Sequence, residues 1–228
     1  MHEKEIALTA AQMKQCDAHT IRAMGVPSMV LMERAALAVV DELLSGLDPV
    51  FDVSRVLCVC GAGNNGGDGA AVARLLTIAG TRAEILFLGE RTKASEETAQ
   101  QLLIAENYGV GLIENPARDA LLPLLSETGV TTIVDALFGI GLSRPLTGMY
   151  ADAILACNAS PAKRLAVDIP SGVSADTGAV MGVAMRADKT VVLAFQKKGM
   201  TAEPGRSLAG RQVIRDIGVT RPEGAVFR

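Results

Sequence analysis

Short apolar runs recur through the chain from residue 54 onward, and stretches with helical spacing separate most of them. SRVLCVC (54–60), RAEILFLG (82–89), TTIVDALFG (131–139), RLAVDIPSG (164–172) and KTVVLAF (189–195) are rich in Val, Ile and Leu. A strand with no polar alternation is covered on both faces, which is the situation of a parallel sheet between two helical layers. VGLI (110–113) and RQVIRDIG (211–218) supply two further strands. Helices are expected from about Asp68 to Ala79, through SEETAQQLLIAENYG to Gly109, through ARDALLPLLSE and through YADAILACNAS. Pro123 in the third of these argues for an irregular start. The fold class is α/β: a Rossmann-like three-layer sandwich, a mostly parallel sheet with helices on both faces.

Two extra helices precede the first strand. Thr9 and Gln12 have capping-box spacing, Gly25 closes the first helix, and Met13, Ile21 and Met24 supply part of an apolar stripe. The second follows Pro27-Ser28. Both are expected on the outside of the sheet. No linker or repeat interrupts the 228 residues, so residues 1–228 read as one domain.

A net charge of −3 gives no electrostatic footprint for nucleic acid, and no apolar run reaches the length of a membrane span. MHEKEIALTAAQ lacks the basic-then-apolar order of a secretory signal, so a soluble cytoplasmic protein is expected. Of four cysteines only Cys58 and Cys60 are close, two apart on one strand face, and they read as buried structural thiols. With only His2 and His19 available, they have no partners for a zinc site.

The chemistry gathers at three strand exits, the end of an open α/β sheet where ligands bind. GAGNNGGDG, DALFGIGLSRPLTG and DIPSGVSADTG each carry an Asp in a glycine-rich turn: Asp68, Asp135 and Asp168. Gly61, Gly63 and Gly66 match the dinucleotide fingerprint, and Gly61 and Gly63 permit positive φ and a close backbone approach. The helix start behind them suits a phosphate. A plain dehydrogenase turn has no need of Asn64, Asn65 and Asp68, nor of acid loops on two later strands. A strand-end carboxylate beside apolar neighbours is a candidate general acid or base. Ser171, the Asn amides and Asp135 are hard oxygen donors suited to an oxygen-seeking cation. Arg144 is a candidate phosphate ligand, and Lys197 and Lys198 follow the strand that ends in VVLAF.

GAGNNGGDG, VDALFGIGLSRPLTG and AVDIPSGVSADTG, in this order, resemble the signature stretches of the NAD(P)H-hydrate epimerases, the YjeF N-terminal domain family. GVPSMVLMERAA and ADKTVVLAFQKKG extend the resemblance from about Gln12 to Asp216. Ala62 stands where the family often has Pro, and Val192-Leu193 where it commonly has Thr-Phe. The resemblance implies a substrate of hydrated NADH or NADPH, its nicotinamide ring hydroxylated at C6, and an isomerase that interconverts the R and S forms. It implies substrate contacts at Asn64, Asn65, Gly66, Gly67 and Asp68, at Gly139, Ile140, Gly141, Leu142, Ser143, Arg144 and Pro145, and at Asp168 and Lys197. It implies one potassium ion per subunit on Asn65, Asp135 and Ser171. Asp168 is the expected catalytic proton donor and acceptor. Also implied are a homodimer through the N-terminal helices and coupling to an ATP- or ADP-dependent dehydratase that takes the S form, fused to this domain in some members. The competing expectations are a catalytically inactive, dimerising or ligand-binding scaffold of the same fold and an ordinary NAD-dependent oxidoreductase.

Overall fold

A computed structural model describes residues 6–47, 49–126 and 129–225. The first helix, α1 (Ala10–Arg22), is preceded by a two-residue strand β1 (Ala7–Leu8) and followed by α2 (Ser28–Leu44). Then strands and helices alternate: β2 (Arg55–Cys60), α3 (Asn64–Ile78), β3 (Arg82–Phe87), α4 (Glu96–Asn107), β4 (Gly111–Glu114), α5 (Arg118–Ser126), β5 (Thr132–Ala136), α6 (Gly148–Ala159) and β6 (Lys163–Val167). The chain ends through β7 (Lys189–Leu193), the short β8 (Gln196–Lys197), α7 (Gly205–Leu208) and β9 (Arg211–Arg215).

Seven strands form one sheet in the order β4-β3-β2-β5-β6-β7-β9, every pair parallel. The chain runs outward in one direction from β2 and in the other from β5. The β2–β5 junction is therefore the topological switch point, where the crevice of such a sheet opens. Cys58, Cys60, Ile85, Phe87, Val134, Leu165 and Val191 face a core shared with α1 to α4. Leu57, Val59, Leu86 and Ile133 face α5 and α6. That alternation explains the unbroken apolar strand sequences. All four cysteines are free and buried, and Cys58 and Cys60 share one face as expected.

Three local expectations are corrected. The third helix begins at Asn64, not near Asp68, so both asparagines lie in its first turn. Pro123 sits inside α5 rather than at an irregular start. Met24 lies beyond the end of α1 and is exposed, so the stripe of that helix is Met13, Cys16 and Thr20 with Ile21 packed against them.

The N-terminal helices are pinned rather than merely laid outside the sheet. Thr9 and Gln12 form the reciprocal capping box. β1 pairs with β8, matching Leu8 to Lys197, which docks the start of α1 against the far end of the chain. On α2, Leu31, Ala35, Val39 and Leu43 enter the core. At its C-terminal end the buried Glu42 meets Lys189 at 2.5 Å and also accepts from Arg215 Nε at 2.7 Å. An acid there opposes the helix dipole, and the two cations offset it. No helix among the described residues is long and apolar enough to cross a membrane.

Candidate active site

The turn between β2 and α3 depends on backbone proximity, not on positive φ. Gly63, the helix N-cap, has φ −83°, and Gly61 does not adopt positive φ either. What glycine supplies is space. A Cβ on Gly61 would lie 2.2 Å from the Leu137 carbonyl oxygen, and one on Gly66 would lie 1.8 Å from the Gly61 carbonyl oxygen. The turn is thereby pressed onto the exit of β5. From the other side α4 clamps it: Ser95 N–H donates to the Ala62 carbonyl and Thr98 Oγ1 to the Gly63 carbonyl. No side chain caps α3, and Gly63, Asn64 and Asn65 at its start line the cleft, an arrangement that suits a phosphate.

Asp135 joins the second exit to the third. It is fully buried on β5. Its carboxylate accepts from Ser171 N–H at 2.7 Å and from Ser171 Oγ at 2.6 Å. Phe138 N–H donates to Ser171 Oγ at 2.8 Å. Burial pushes the Asp135 carboxyl up to about 6, although the Ser171 bonds pull it back.

Asp168, directly after β6, has φ +70°, a left-handed conformation unusual for a residue with a side chain. Ala194, at the exit of β7, has φ +60°. Both line the cleft, and such strain persists where the surroundings hold it in place. Asp168 Oδ1 accepts from the Leu193 N–H at 3.1 Å and is ion-paired with Lys197. The Lys197 ammonium is fully buried and also donates to the Leu193 carbonyl at 2.8 Å.

These exits floor a cleft of about 510 Å³, within the usual range for a small-molecule site. Asn64, Asn65, Asp68, Gly139, Ile140, Gly141, Leu142 and Asp168 line it. Gly66 and Gly67 are buried in the first turn of α3, and Lys197, Asp135 and Ser171 are buried and do not line the cleft. Ser143, Arg144 and Pro145 are exposed and outside it. The opposite wall comes from α1 and α2, including Met13, Asp17, Ile21, Leu31 and Met32.

Asp17 is the residue that sequence reading missed, yet a signal was there. It stands four residues from both Met13 and Ile21, a charge set into an apolar stripe. Burial, with the charge of Asp168 adding to it and that of Lys197 opposing it, pushes Asp17 up to about 6. Burial first, then Asp168 and Asp17, hold Asp68 well above the usual carboxylate value. Three acids thus line one cleft, and a buried lysine is paired with one of them, Asp168.

Among the described residues no cluster of three or more His, Cys, Asp or Glu has metal-binding arrangement, which argues against a transition metal. The donor set fits a hard monovalent cation better. Asp135 and Ser171 offer oxygens, no ion pair reaches Asp135 among the described residues, and the Asn65 amide nitrogen is buried without a partner there. Asn65 lines the cleft, so its amide has hydrogen-bonding capacity to spare for a ligand there.

The model of the family described as YjeF-related protein N-terminus matches residues 28–199. The chain is 47% identical to the NAD(P)H-hydrate epimerase of Levilactobacillus brevis, over 93% of this chain and 94% of that one. It is 45% identical to the NAD(P)H-hydrate epimerase of Oenococcus oeni, over 95% and 99% respectively. Among solved structures, the yeast protein ynu0 superposes with a TM-score of 0.75 at 21% identity, covering 92% of this chain and 88% of that one, a likeness of fold.

One consequence for stability follows from Asp135. Its carboxyl titrates higher in the folded protein than in the unfolded chain, so the folded state holds the proton more tightly between about pH 4 and 6, and its contribution is lost as pH rises through that window. In potassium-free buffer, the stability advantage of the wild type over Asp135→Asn is expected to shrink by up to about 3 kcal/mol from pH 4 to pH 7. Urea unfolding at several pH values measures this. A gap that widens with pH would contradict the burial of an unpaired carboxylate.

Proposed function

Because the chain belongs to the YjeF-related N-terminal family and stands among its NAD(P)H-hydrate epimerases, we propose that its cleft interconverts the R and S forms of hydrated NADH and NADPH, repairing damaged coenzyme. The observation that carries the reading is Asp168, held in a strained conformation at the edge of the switch-point cleft by a buried lysine. The first turn of α3 takes the pyrophosphate and the strand exits take the damaged ring.

The substrate dictates the chemistry. C6 of the hydrated ring bears both the ring nitrogen and a hydroxyl, so it is a hemiaminal whose C–H is not appreciably acidic. Removing that hydrogen is an unattractive route. The nitrogen lone pair instead expels the protonated hydroxyl as water, leaving a planar iminium that water re-enters from the other face. Ring opening to an aldehyde and reclosure is the alternative path. Either needs proton transfer beside C6, and Asp168 is a catalytic group for it. Its Oδ1 is engaged by Lys197 and the Leu193 N–H, which fixes the carboxylate and leaves Oδ2 without a hydrogen bond among the described residues.

Asn65, Asp135 and Ser171 hold one potassium ion per subunit. When bound it supplies a fixed positive charge beside Asp135, steadying the joint between the β5 and β6 exits. The S product feeds an ATP- or ADP-dependent dehydratase. The activity belongs in the cytoplasm, where four buried, unpaired thiols are at home. Val30, Leu37 and Leu44 form an exposed line along α2 and support a homodimer through the N-terminal helices.

Asp168→Asn is expected to lower the rate of R–S interconversion at least 10²-fold while NADPH still binds, read by separating the epimers over time. Near-normal turnover removes Asp168 from the chemistry. Potassium is expected to raise the melting temperature of the wild type more than sodium does, and Asp135→Asn to lose that difference. Equal responses to the two ions count against the cation site. Leu37→Glu is expected to convert a dimer to a monomer in light scattering, and a wild type already monomeric at tens of micromolar contradicts the dimer.

A further inference from the structure

The epimerase reading leaves a proton unaccounted for. Expelling hydroxide from C6 needs an acid that carries its proton. Asp168 is arranged otherwise: both bonds to its Oδ1 come from donors, the Lys197 ammonium and the Leu193 N–H, the setting of a carboxylate in acceptor mode. A second group has to supply what this one is set to receive.

Asp17 enters the cleft from α1, a different wall from the sheet edge that carries Asp168. It is half-buried, and among the described residues no hydrogen bond or ion pair reaches its carboxylate. Its place is fixed from both ends of the helix. Leu8 pairs with Lys197 and α1 begins two residues later, so Asp17 stands roughly 10 Å of helix rise beyond the start of that helix. Further along, Thr20 Oγ1 accepts from the Thr220 N–H at 2.8 Å. The lysine that holds Asp168 is thus on the strand that positions the helix carrying Asp17. The charged groups around Asp17 are Lys14 on its own helix, Asp68 from α3, Asp168 from the exit of β6 and Lys197 from β8.

Resting on the epimerase reading, we propose that Asp17 is a second catalytic residue, donating its proton to the departing C6 hydroxyl from the helical wall while Asp168 accepts a proton from the water that enters at the sheet edge. In this step the C6–O bond breaks and its electron pair leaves with the oxygen, which takes the Asp17 proton and departs as water. The ring-nitrogen lone pair becomes the C=N bond of the iminium. Water then bonds to C6 from the other side, returns the C=N pair to nitrogen and gives its proton to Asp168. One proton has moved from Asp17 to Asp168, and the reverse reaction moves it back. Water exchange resets the pair when one direction runs alone. Burial keeps a proton on Asp17 up to about pH 6, within the working range of a general acid.

The test compares wild type, Asp17→Asn, Asp17→Glu and Asp68→Asn for interconversion from pH 5 to pH 9, with the uncatalysed rate subtracted and NADPH binding measured in parallel. Wild-type turnover is expected to fall as pH rises through the Asp17 titration. Asp17→Asn is expected to lose 10²- to 10⁴-fold in turnover, to keep NADPH binding within a few-fold, and to lack that fall in its residual rate. Asp17→Glu should recover part of the rate together with the fall, whereas Asp68→Asn should raise KM and keep it. The assignment is overturned if Asp17→Asn turns over near-normally or retains the fall. It is also overturned if activity drops only in step with binding or folding, or if Asp68→Asn is the variant that loses the fall. A wild type with no interconversion at any pH removes the epimerase reading itself, a result distinct from all of these.

Discussion

One buried ammonium ties together the pieces of chain that make the cleft. Lys197 bonds Asp168 at the end of β6 and the Leu193 carbonyl at the end of β7. Its own strand pairs with β1 and so sets where α1 begins. A buried charge without a partner is costly, so the lysine and the aspartate hold each other in place, and the strained backbone at Asp168 is maintained by what surrounds it. Remove the pairing and the Asp168 carboxylate, the β7 exit and the helical wall lose their common reference.

The second joint is Asp135 with Ser171, which ties β5 to the loop after β6. The third is the glycine turn, pressed against Leu137 so closely that a side chain at Gly61 has no room. Together the three joints bring loops far apart in sequence to the single place where the sheet's connections change direction. The resulting site is rich in carboxylates and poor in cations. Burial in such a site, with like charges close by, raises the carboxyls of Asp17 and Asp68 above their ordinary values.

The sheet was legible because parallel strands covered on both faces cannot hide their composition: RVLCVC and TTIVDA announce burial without any partner in view. The capping box of α1 was legible because it is local. The start of α3 was not, since Asn-Asn-Gly-Gly has poor helix propensity and is held by packing, Gly66 against Gly61 and Gly67 against Met32 of α2 and Thr98 of α4. The turn glycines were singled out for φ freedom and for close backbone approach; only the second holds for Gly61, and that its neighbour is another strand's exit is a tertiary fact. β1 and β8 are two residues each, too short to leave a pattern. Asp17 was hidden because an external helix was expected to have a solvated face, and only the fold turns that face into a cleft wall. The burial of Lys197 was likewise unreadable from a pair of adjacent lysines.

The central claim is that this cleft holds a hydrated nicotinamide dinucleotide and inverts C6. The most direct measurement starts from mixed R and S hydrated NADPH with an excess of S-specific dehydratase, at a pH where spontaneous epimerisation is slow. NADPH recovery first stalls when the S half is consumed. Adding this protein is predicted to restart recovery and carry it to completion. If recovery stays at the S half while the protein is folded and binds NADPH, the account is wrong about the reaction, and the cleft serves another ligand.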